Sequence, residues 1–141
     1  QAVTNLLSSA IEAIEGRAIP NTGNNLPRGE IHISLNSDNN FIKLIVEDNG
    51  RGLPDTQRDR LTEPYITTRT KGTGLGLAIV KRIMEQHDGT LNLDDRVDMN
   101  KNELQTESNV GAKVSLTLPI RKESFEAARN QLNSPSTIYN G

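Results

Sequence analysis

The chain has 141 residues, 33% of them apolar, and a formal net charge of −2. This length and composition predict one domain with a modest core, and the charge balance excludes the basic surface of a nucleic-acid-binding domain. With two Phe, two Tyr, no Trp and no Cys, the sequence also argues against base stacking along a single strand, disulfides and thiolate metal sites.

The first half of the chain predicts a helix followed by a β-hairpin. Residues 1–16 carry a helical stripe that ends at Gly16, and residues 17–29 are a loop interrupted by Pro and Gly. The stripe consists of Val3, Leu6, Leu7, Ala10 and Ile14. Residues 30–35 and 41–47 alternate apolar and polar side chains around the turn NSDNN, as two paired strands do. Their inward positions are Ile31, Ile33 and Leu35, then Ile42, Leu44 and Val46.

The second half predicts a loop region, a second helix and two more strands. The segment EDNGRGLP ends the sheet, and we expect a short helix near 55–60 before the polar segment 61–73. A helix over 75–87 turns Ile79, Val80, Ile83 and Met84 to one side, and Gly89 suits its end. The strands TLNL and 110–118 follow, separated by a polar loop over 95–109. Residues 120–141 form a polar tail with weak helical character near 123–132, which we expect to be loosely packed.

This order of elements predicts an α+β fold. Consecutive strands are joined by short turns, so the sheet is expected to be mostly antiparallel, with two helices covering one face as a two-layer sandwich. The chain lacks the regular strand–helix alternation of a parallel doubly wound fold.

Asp48 is a candidate ligand-binding carboxylate, since it stands at the end of a strand with an apolar inner face. Gly50 and Gly52 allow a sharp turn and leave room for a flat ligand, and the carboxylate can accept a hydrogen bond from an exocyclic amine such as that of adenine. The alternative is an ordinary Asp-Asn-Gly turn.

The glycine run GTGLGL leads directly into the second predicted helix, whose first N–H groups and dipole attract anions. Arg69 and Lys71 just upstream could reach phosphate oxygens, or they could be solvated loop charges. The run matches neither a P-loop nor a dinucleotide-binding fingerprint.

Asn5, Ser9 and Glu12 share one face of the first helix because they are spaced by four and three residues. That face lies beside the apolar stripe, where a ligand could meet a buried wall. The alternative is a solvated polar face.

Taken in order, these segments resemble the catalytic ATP-binding domain of sensor histidine kinases, within the gyrase, Hsp90 and histidine kinase superfamily. Residues 1–16 are similar to the N box, DNGRGLP to the first glycine box, LTEPYITTR to the F box and GTGLGLAIV to the second glycine box. The stretch LTEPYITTRTKGTGLGLAIVKRIMEQHDG is especially similar to NtrY-type nitrogen-regulation kinases. The resemblance covers residues 1–119, implies the Bergerat ATP-binding fold for them, and leaves 120–141 as a tail.

The resemblance also implies roles for matching positions. Asp48 would contact the adenine amino group, Gly50 and Gly52 would shape the base pocket, and residues 61–73 would be a mobile lid over ATP. Asn5 would be the catalytic position, and with Ser9 it would bind Mg²⁺, beside Glu12. The implied phosphate contacts come from the lid and the second glycine box: Thr68, Arg69, Lys71, Gly72, Thr73, Gly74, Leu75 and Gly76.

The sequence departs from the family pattern in three places. The N box usually reads Asn-x-x-x-Asn, whereas this chain has Asn5 and Ser9, so metal-dependent phosphoryl transfer is in question although Asn5 and Glu12 could compensate in part. The leading aromatic of the F box is replaced by Leu61-Thr62, which the NtrY-type wording shares. The family places a strand before the N box, so a chain that begins at Gln1 is expected to be a fragment with an incomplete sheet edge, open to pairing with another copy.

The function implied by the resemblance is transfer of the ATP γ-phosphate to a histidine on a separate dimerisation domain. We expect neither His32 nor His87 to be that phosphoacceptor. The expected partners are the protein's own dimerisation domain and an NtrX-like response regulator, with no nucleic acid. By resemblance, the full-length protein would be a homodimer anchored in the inner membrane with this domain in the cytoplasm. Two alternatives stay open: a nucleotide-binding signalling module that has lost catalysis, and an ATPase of the same superfamily, which Asn5 disfavours because the ATPases have Glu there.

Overall fold

The computed structural model describes residues 1–18, 26–54, 56, 58–64, 75–97, 111–120 and 129–132. These ranges contain the helices α1 (Ala2–Glu15) and α2 (Gly76–Gln86), and a 3₁₀ helix, η1 (Arg58–Thr62). The strands are β1 (Ile31–Ser37), β2 (Phe41–Asp48), β3 (Thr90–Asp95) and β4 (Ala112–Pro119). The predicted loop over 95–109 falls outside the described residues from position 98 onward, as does most of the tail, of which 129–132 form a helical turn.

The four strands form one sheet in the order β1-β2-β4-β3, and every neighbouring pair is antiparallel. The register aligns Ile33 with Val46 and Val46 with Val114, so the apolar positions of successive strands share one face. Both helices pack on that face. The predicted α+β two-layer sandwich with an antiparallel sheet is therefore confirmed.

The core lies between the two helices and the central strands β2 and β4. Leu6 of α1, Val80 and Met84 of α2, and Val46 and Leu116 of the sheet form one buried cluster. Burying each such side chain contributes about 1.5–3 kcal/mol. The alternation predicted for β1 is correct in phase, but Ile33 and Leu35 remain 51% and 68% exposed because β1 lies at an edge of the described sheet and α1 packs mainly over β2.

The turn between β1 and β2 is held by Asp38, whose carboxylate accepts the backbone N–H groups of Asn40 and Phe41 at 2.7 and 2.8 Å. These hydrogen bonds hold the pKa of Asp38 below its ordinary value. Because the pKa is lowered in the folded state, this stabilisation is present above the unfolded pKa and is lost as the pH falls through the folded one.

Helix α1 buries part of the predicted stripe and one residue outside it. Leu6, Ala10 and Ala13 are buried, whereas Val3 is 43% exposed. The reason is a close contact at Ala13, whose carbonyl accepts the N–H of Arg51 at 3.0 Å. A Cβ atom on Gly50 would lie only 2.6 Å from the carbonyl carbon and the Cβ of Ala13. Small residues on both sides therefore let the turn after β2 press against the helix.

The end of α2 also differs in detail from the prediction. The left-handed conformation is adopted by Asp88, with φ of 56°, and the N–H of Gly89 then bonds to the carbonyl of Met84 at 2.7 Å. A Cβ atom on Gly89 would lie 2.7 Å from both the Thr117 carbonyl oxygen and a Leu118 methyl. Gly89 is thus needed for close packing against β4 and not for a positive φ.

The short helix predicted near 55–60 is the 3₁₀ helix η1, which lies slightly later in the chain. Arg58 joins it to the sheet, since its guanidinium donates to both carboxylate oxygens of Asp95 at 2.8 and 3.1 Å. Its Nε also donates to the carbonyl of Pro54 at 2.8 Å. One side chain therefore holds η1 to the loop after β2 and to the end of β3.

The Gly50–Ala13 contact predicts that Gly50→Ala destabilises the fold by about 1–3 kcal/mol, since the added methyl would overlap helix backbone. Urea unfolding of both proteins measures this. Gly76→Ala is the matched control: its Cβ would meet only the Ser9 hydroxyl at 3.6 Å, and Ala favours a helix over Gly by about 1 kcal/mol. Equal unfolding midpoints for Gly50→Ala and wild type would contradict the account of this contact.

Candidate functional site

Asp48 is the last residue of β2 and lies on the helix-covered face of the sheet, with 4% of its surface exposed. Its Oδ1 accepts the backbone N–H of Gly50 at 2.8 Å, which closes a tight turn directly after the strand. A carboxylate at this depth must be offset by hydrogen bonds, because burying a charge is costly. The geometry is more than an ordinary surface turn, since it places an acceptor at the margin of the core.

The turn that carries Asp48 is enclosed from two sides. On one side, Gly50 and Arg51 rest on Ala13 of α1, as described above. On the other, Gly111 packs against the Asp48 backbone so closely that a Cβ atom on Gly111 would overlap the Asp48 carbonyl oxygen. Gly111 has a φ of 135°, and its carbonyl accepts the N–H of Arg96 at 3.0 Å. Gly52 also has a positive φ, 78°, which continues the turn away from the strand.

Sequence reasoning missed Gly111 as part of this site. The signal available was a glycine directly before an alternating strand, which marks a special backbone position without naming its partner. Gly50 has a more specific role than predicted, because only a residue without a Cβ atom can approach α1 this closely. Whether Gly50 and Gly52 also shape a base pocket stays a prediction.

The polar face of α1 meets the start of α2. Asn5, Ser9 and Glu12 are all half-buried, so this face is not simply solvated. The Nδ2 group of Asn5 donates a long hydrogen bond of 3.5 Å to the carbonyl of Gly76, and the Ser9 hydroxyl lies 3.6 Å from the position that a Cβ atom on Gly76 would take. The structure thus brings three of the predicted site residues together: Asn5, Ser9 and Gly76.

The N-terminus of α2 lies beside the polar face of α1. The helix begins after Leu75, whose side chain makes no capping hydrogen bond. The first N–H groups of a helix and the positive end of its dipole favour phosphate or carboxylate.

Helix α1 extends from the Asp48 turn to the start of α2, and these two places are the two ends of the candidate site. Its Asn5 and Ser9 adjoin the start of α2, and its Ala13 adjoins the Asp48 turn. Asn5 and Ala13 are eight residues apart, or about 12 Å along the helix axis. The predicted ligand would therefore lie along the polar face of α1, with Asp48 at one end and the α2 N-terminus at the other.

Six predicted phosphate contacts fall outside the described residues: Thr68, Arg69, Lys71, Gly72, Thr73 and Gly74. Their roles stay predictions, as does the lid that contains them. Within the described ranges, no three His, Cys, Asp or Glu side chains gather closely enough to hold a metal ion by themselves. No helix there has both the length and the apolar character that crossing a bilayer requires.

A separate groove of about 780 Å³ lies between η1, α2 and β3. Its walls include Arg58, Met84, Leu91 and Leu93, and it contains none of the predicted site residues.

Comparison with known proteins bears on the fold and the family. The profile described as "Histidine kinase-, DNA gyrase B-, and HSP90-like ATPase" matches residues 1–122. Nitrogen regulation protein NtrY of Azorhizobium caulinodans is 50% identical over 95 residues, which are 67% of this chain and 12% of that protein. The mycobacterial sensor histidine kinase MprB superposes with a TM-score of 0.64 at 27% identity, covering 84% of this chain and 67% of that one.

The catalytic domain of histidine kinase ThkA, solved without nucleotide, gives a TM-score of 0.60 at 28% identity, covering 84% of this chain and 65% of that one. The matched region is 12% of the length of NtrY and about two thirds of each of the two solved chains. These matches confirm the resemblance found in the sequence boxes. The chain belongs to the histidine kinase-, DNA gyrase B- and HSP90-like ATPase family.

Proposed function

We propose that the chain is the ATP-binding catalytic domain of a sensor histidine kinase and donates the ATP γ-phosphate to a histidine on a separate dimerisation domain. The observation that carries this proposal is that α1 adjoins the turn of the buried Asp48 carboxylate at one end and the N-terminus of α2 at the other, in a chain of this family. A nucleotide matches both ends, because its purine can bind at the carboxylate and its phosphates can bind at the helix N-terminus.

At the first end, the Asp48 carboxylate binds the adenine amino group. Its 4% exposure means that a hydrogen bond formed there is shielded from water, which makes it stronger than one at the surface. The Gly50 N–H already bonded to Oδ1 fixes the carboxylate plane, so that the amine meets a preoriented acceptor.

At the second end, the first N–H groups of α2 and the side chains of Arg69 and Lys71 bind the phosphates. Gly72, Gly74 and Gly76 allow the backbone to approach phosphate oxygens closely and to change φ as the lid closes. Thr68, Thr73 and Leu75 complete this segment.

The residues at the α1–α2 junction fit Mg²⁺ bound together with nucleotide. Mg²⁺ in such sites takes only one or two protein ligands, the rest being phosphates and waters, so a cluster of carboxylates is not needed. The Asn5 side chain has an amide oxygen in addition to the Nδ2 that faces Gly76, and Ser9 offers a hydroxyl one turn away. When bound, the ion neutralises charge developing on the transferred phosphoryl group.

Kinase activity fits position 5 better than ATP hydrolysis does. An asparagine cannot take a proton from water at neutral pH, whereas the superfamily's ATPases use Glu there. Transfer to an imidazole needs no such base, and this domain's contribution is positioning and charge stabilisation. His32, with a side chain 59% exposed on β1, and His87, bonded to Ile83 at the end of α2, are not the acceptor in this proposal.

The partners follow from the same proposal. They are the dimerisation domain that carries the acceptor histidine and a response regulator that receives the phosphate, NtrX-like by resemblance. The complete protein is proposed to be a homodimer anchored in the inner membrane, with this domain on the cytoplasmic side. The 50% identity to NtrY supports nitrogen regulation as the pathway class.

A second candidate function is nucleotide binding without catalysis. The observation that favours it is Ser9, because a hydroxyl is shorter than an amide and reaches a metal ion less well. The phosphotransfer and Ser9 experiments below separate the two.

Asp48→Asn should lower ATP affinity roughly tenfold or more, because a hydrogen bond to a charged group contributes about 1.5–3 kcal/mol. Titration with a fluorescent ATP analogue measures the loss. Asp94→Asn, at an exposed position of β3, should leave affinity unchanged. Equal affinity of the Asp48 variant and wild type would remove Asp48 from the adenine site.

Ser9→Asn should increase the gain in ATP affinity that Mg²⁺ produces, because the longer amide restores a second oxygen ligand at the α1–α2 junction. Calorimetric titrations with and without Mg²⁺ give this gain for each protein. Ser8→Asn, at the exposed neighbouring position, is the control and should behave as wild type. If the Mg²⁺-dependent gain is the same in all three proteins, position 9 has no part in metal binding.

Mixing the chain with the matching dimerisation domain, ATP and Mg²⁺ should yield acid-labile phosphohistidine on that domain, and none when the domain is left out. Radiolabelled ATP follows the transfer. ATP binding without any transfer would favour the non-catalytic module, and sustained phosphate release by the chain alone would favour an ATPase.

A further inference from the structure

We propose that Asn49 is a positioning residue that aims the Asp48 carboxylate at the purine and thereby sets the preference for adenine. This inference rests on the proposed function, since it concerns the same carboxylate. It adds to the proposed site the residue Asn49, which would not contact the ligand itself and would act by orienting the neighbouring Asp48.

Asn49 is hydrogen-bonded to residues 28–30 by three groups. Its backbone N–H donates to the carbonyl of Glu30 at 3.2 Å, and its Oδ1 accepts the Glu30 N–H at 2.8 Å. Its Nδ2 donates to the carbonyl of Arg28 at 2.8 Å. The side-chain amide thus continues the β1–β2 pairing for one step beyond the aligned pair Ile31 and Asp48.

The segment held by Asn49 is itself attached to the end of α1. Arg17 donates to the carbonyl of Pro27 at 2.8 Å and to that of Ile14 at 3.0 Å. Gly29 lies so close to Ile14 that a Cβ atom would be 2.6 Å from its side chain. Asn49 therefore fastens the turn to a backbone segment that is itself bonded to and packed against the end of α1.

The Asp48 carboxylate is consequently held from both neighbouring positions. Gly50 and Arg51 fix the following residues to Ala13, and Asn49 fixes the turn to the segment before β1. Hydrogen bonds weaken steeply when donor and acceptor are misaligned, so rotation of the Asp48 carboxylate would weaken its hydrogen bond to the exocyclic amine of adenine. Loss of the Asn49 side chain removes two of its three hydrogen bonds to residues 28–30, and leaves the backbone bond to Glu30 and the contacts of Gly50 and Arg51 in place.

The fold is expected to survive Asn49→Ala. The carbonyl of Arg28 and the N–H of Glu30 belong to exposed residues, so water can replace the lost amide. If Asn49 had only a structural role, Asn49→Ala would therefore lower stability slightly and would change the affinity for all nucleotides by the same factor.

Comparing ATP with ITP tests the inference, because inosine lacks the exocyclic amine that Asp48 would bind. Wild type should bind ATP more tightly than ITP. Asn49→Ala should reduce this ATP-to-ITP ratio roughly three- to tenfold while ITP affinity stays within about twofold of wild type. Calorimetry gives both affinities, and thermal unfolding confirms that each protein is folded. Asn36→Ala, at an exposed position of β1, is the matched control and should keep the wild-type ratio.

Three results would overturn the inference. If Asn49→Ala keeps the wild-type ratio, or weakens ATP and ITP by the same factor, Asn49 does not aim the carboxylate. If wild type binds both nucleotides equally, Asp48 does not read the amine and Asn49 has nothing to position. If wild type binds neither ATP nor ITP, the proposed function itself is wrong. This result is distinguishable from a failure of the Asn49 inference alone, in which wild type still binds ATP more tightly than ITP.

Discussion

The contact between Gly50 and Ala13 is the constraint on which the site depends. It exists because one residue has no side chain and the other has only a methyl, so that the backbone of a turn can rest on the backbone of a helix. This contact places the last residue of β2 beneath α1 and so buries the Asp48 carboxylate. With α1 fixed at Ala13, Ser9 lies about one turn and Asn5 about two turns toward the N-terminus of the helix, where they meet the start of α2. One close approach therefore determines the spacing of both ends of the proposed ligand site.

Much of the fold could be predicted from the sequence because its elements have clear local periodicities. The alternation of apolar and polar residues in β1, β2 and β4 correctly predicted which side of each strand faces the helices. The spacing of Asn5, Ser9 and Glu12 correctly indicated one shared helix face, on which all three are half-buried. The order of the four boxes identified the family. These features depend on neighbours in sequence, which is the information that a single sequence carries best.

The remaining features depend on partners distant in the chain. Periodicity favoured Val3 for the core, but Val3 is 43% exposed, and Ala13 is buried where the turn after β2 packs against α1. Gly89 was expected to suit the end of α2, but the positive φ there belongs to Asp88, and Gly89 is needed for close packing against β4. Gly111 and Asn49 form part of the surroundings of Asp48 through contacts that no local pattern encodes. The lid and its basic residues lie outside the described residues, so the phosphate half of the site rests on sequence and family.

A crystal structure of the chain with a non-hydrolysable ATP analogue and Mg²⁺ tests the central claim most directly. The account predicts the purine against the Asp48 carboxylate and the phosphates at the first turn of α2, with the nucleotide extended along Asn5, Ser9 and Glu12. Nucleotide bound instead in the groove between η1, α2 and β3, or anywhere that leaves Asp48 without contact to the base, would contradict it.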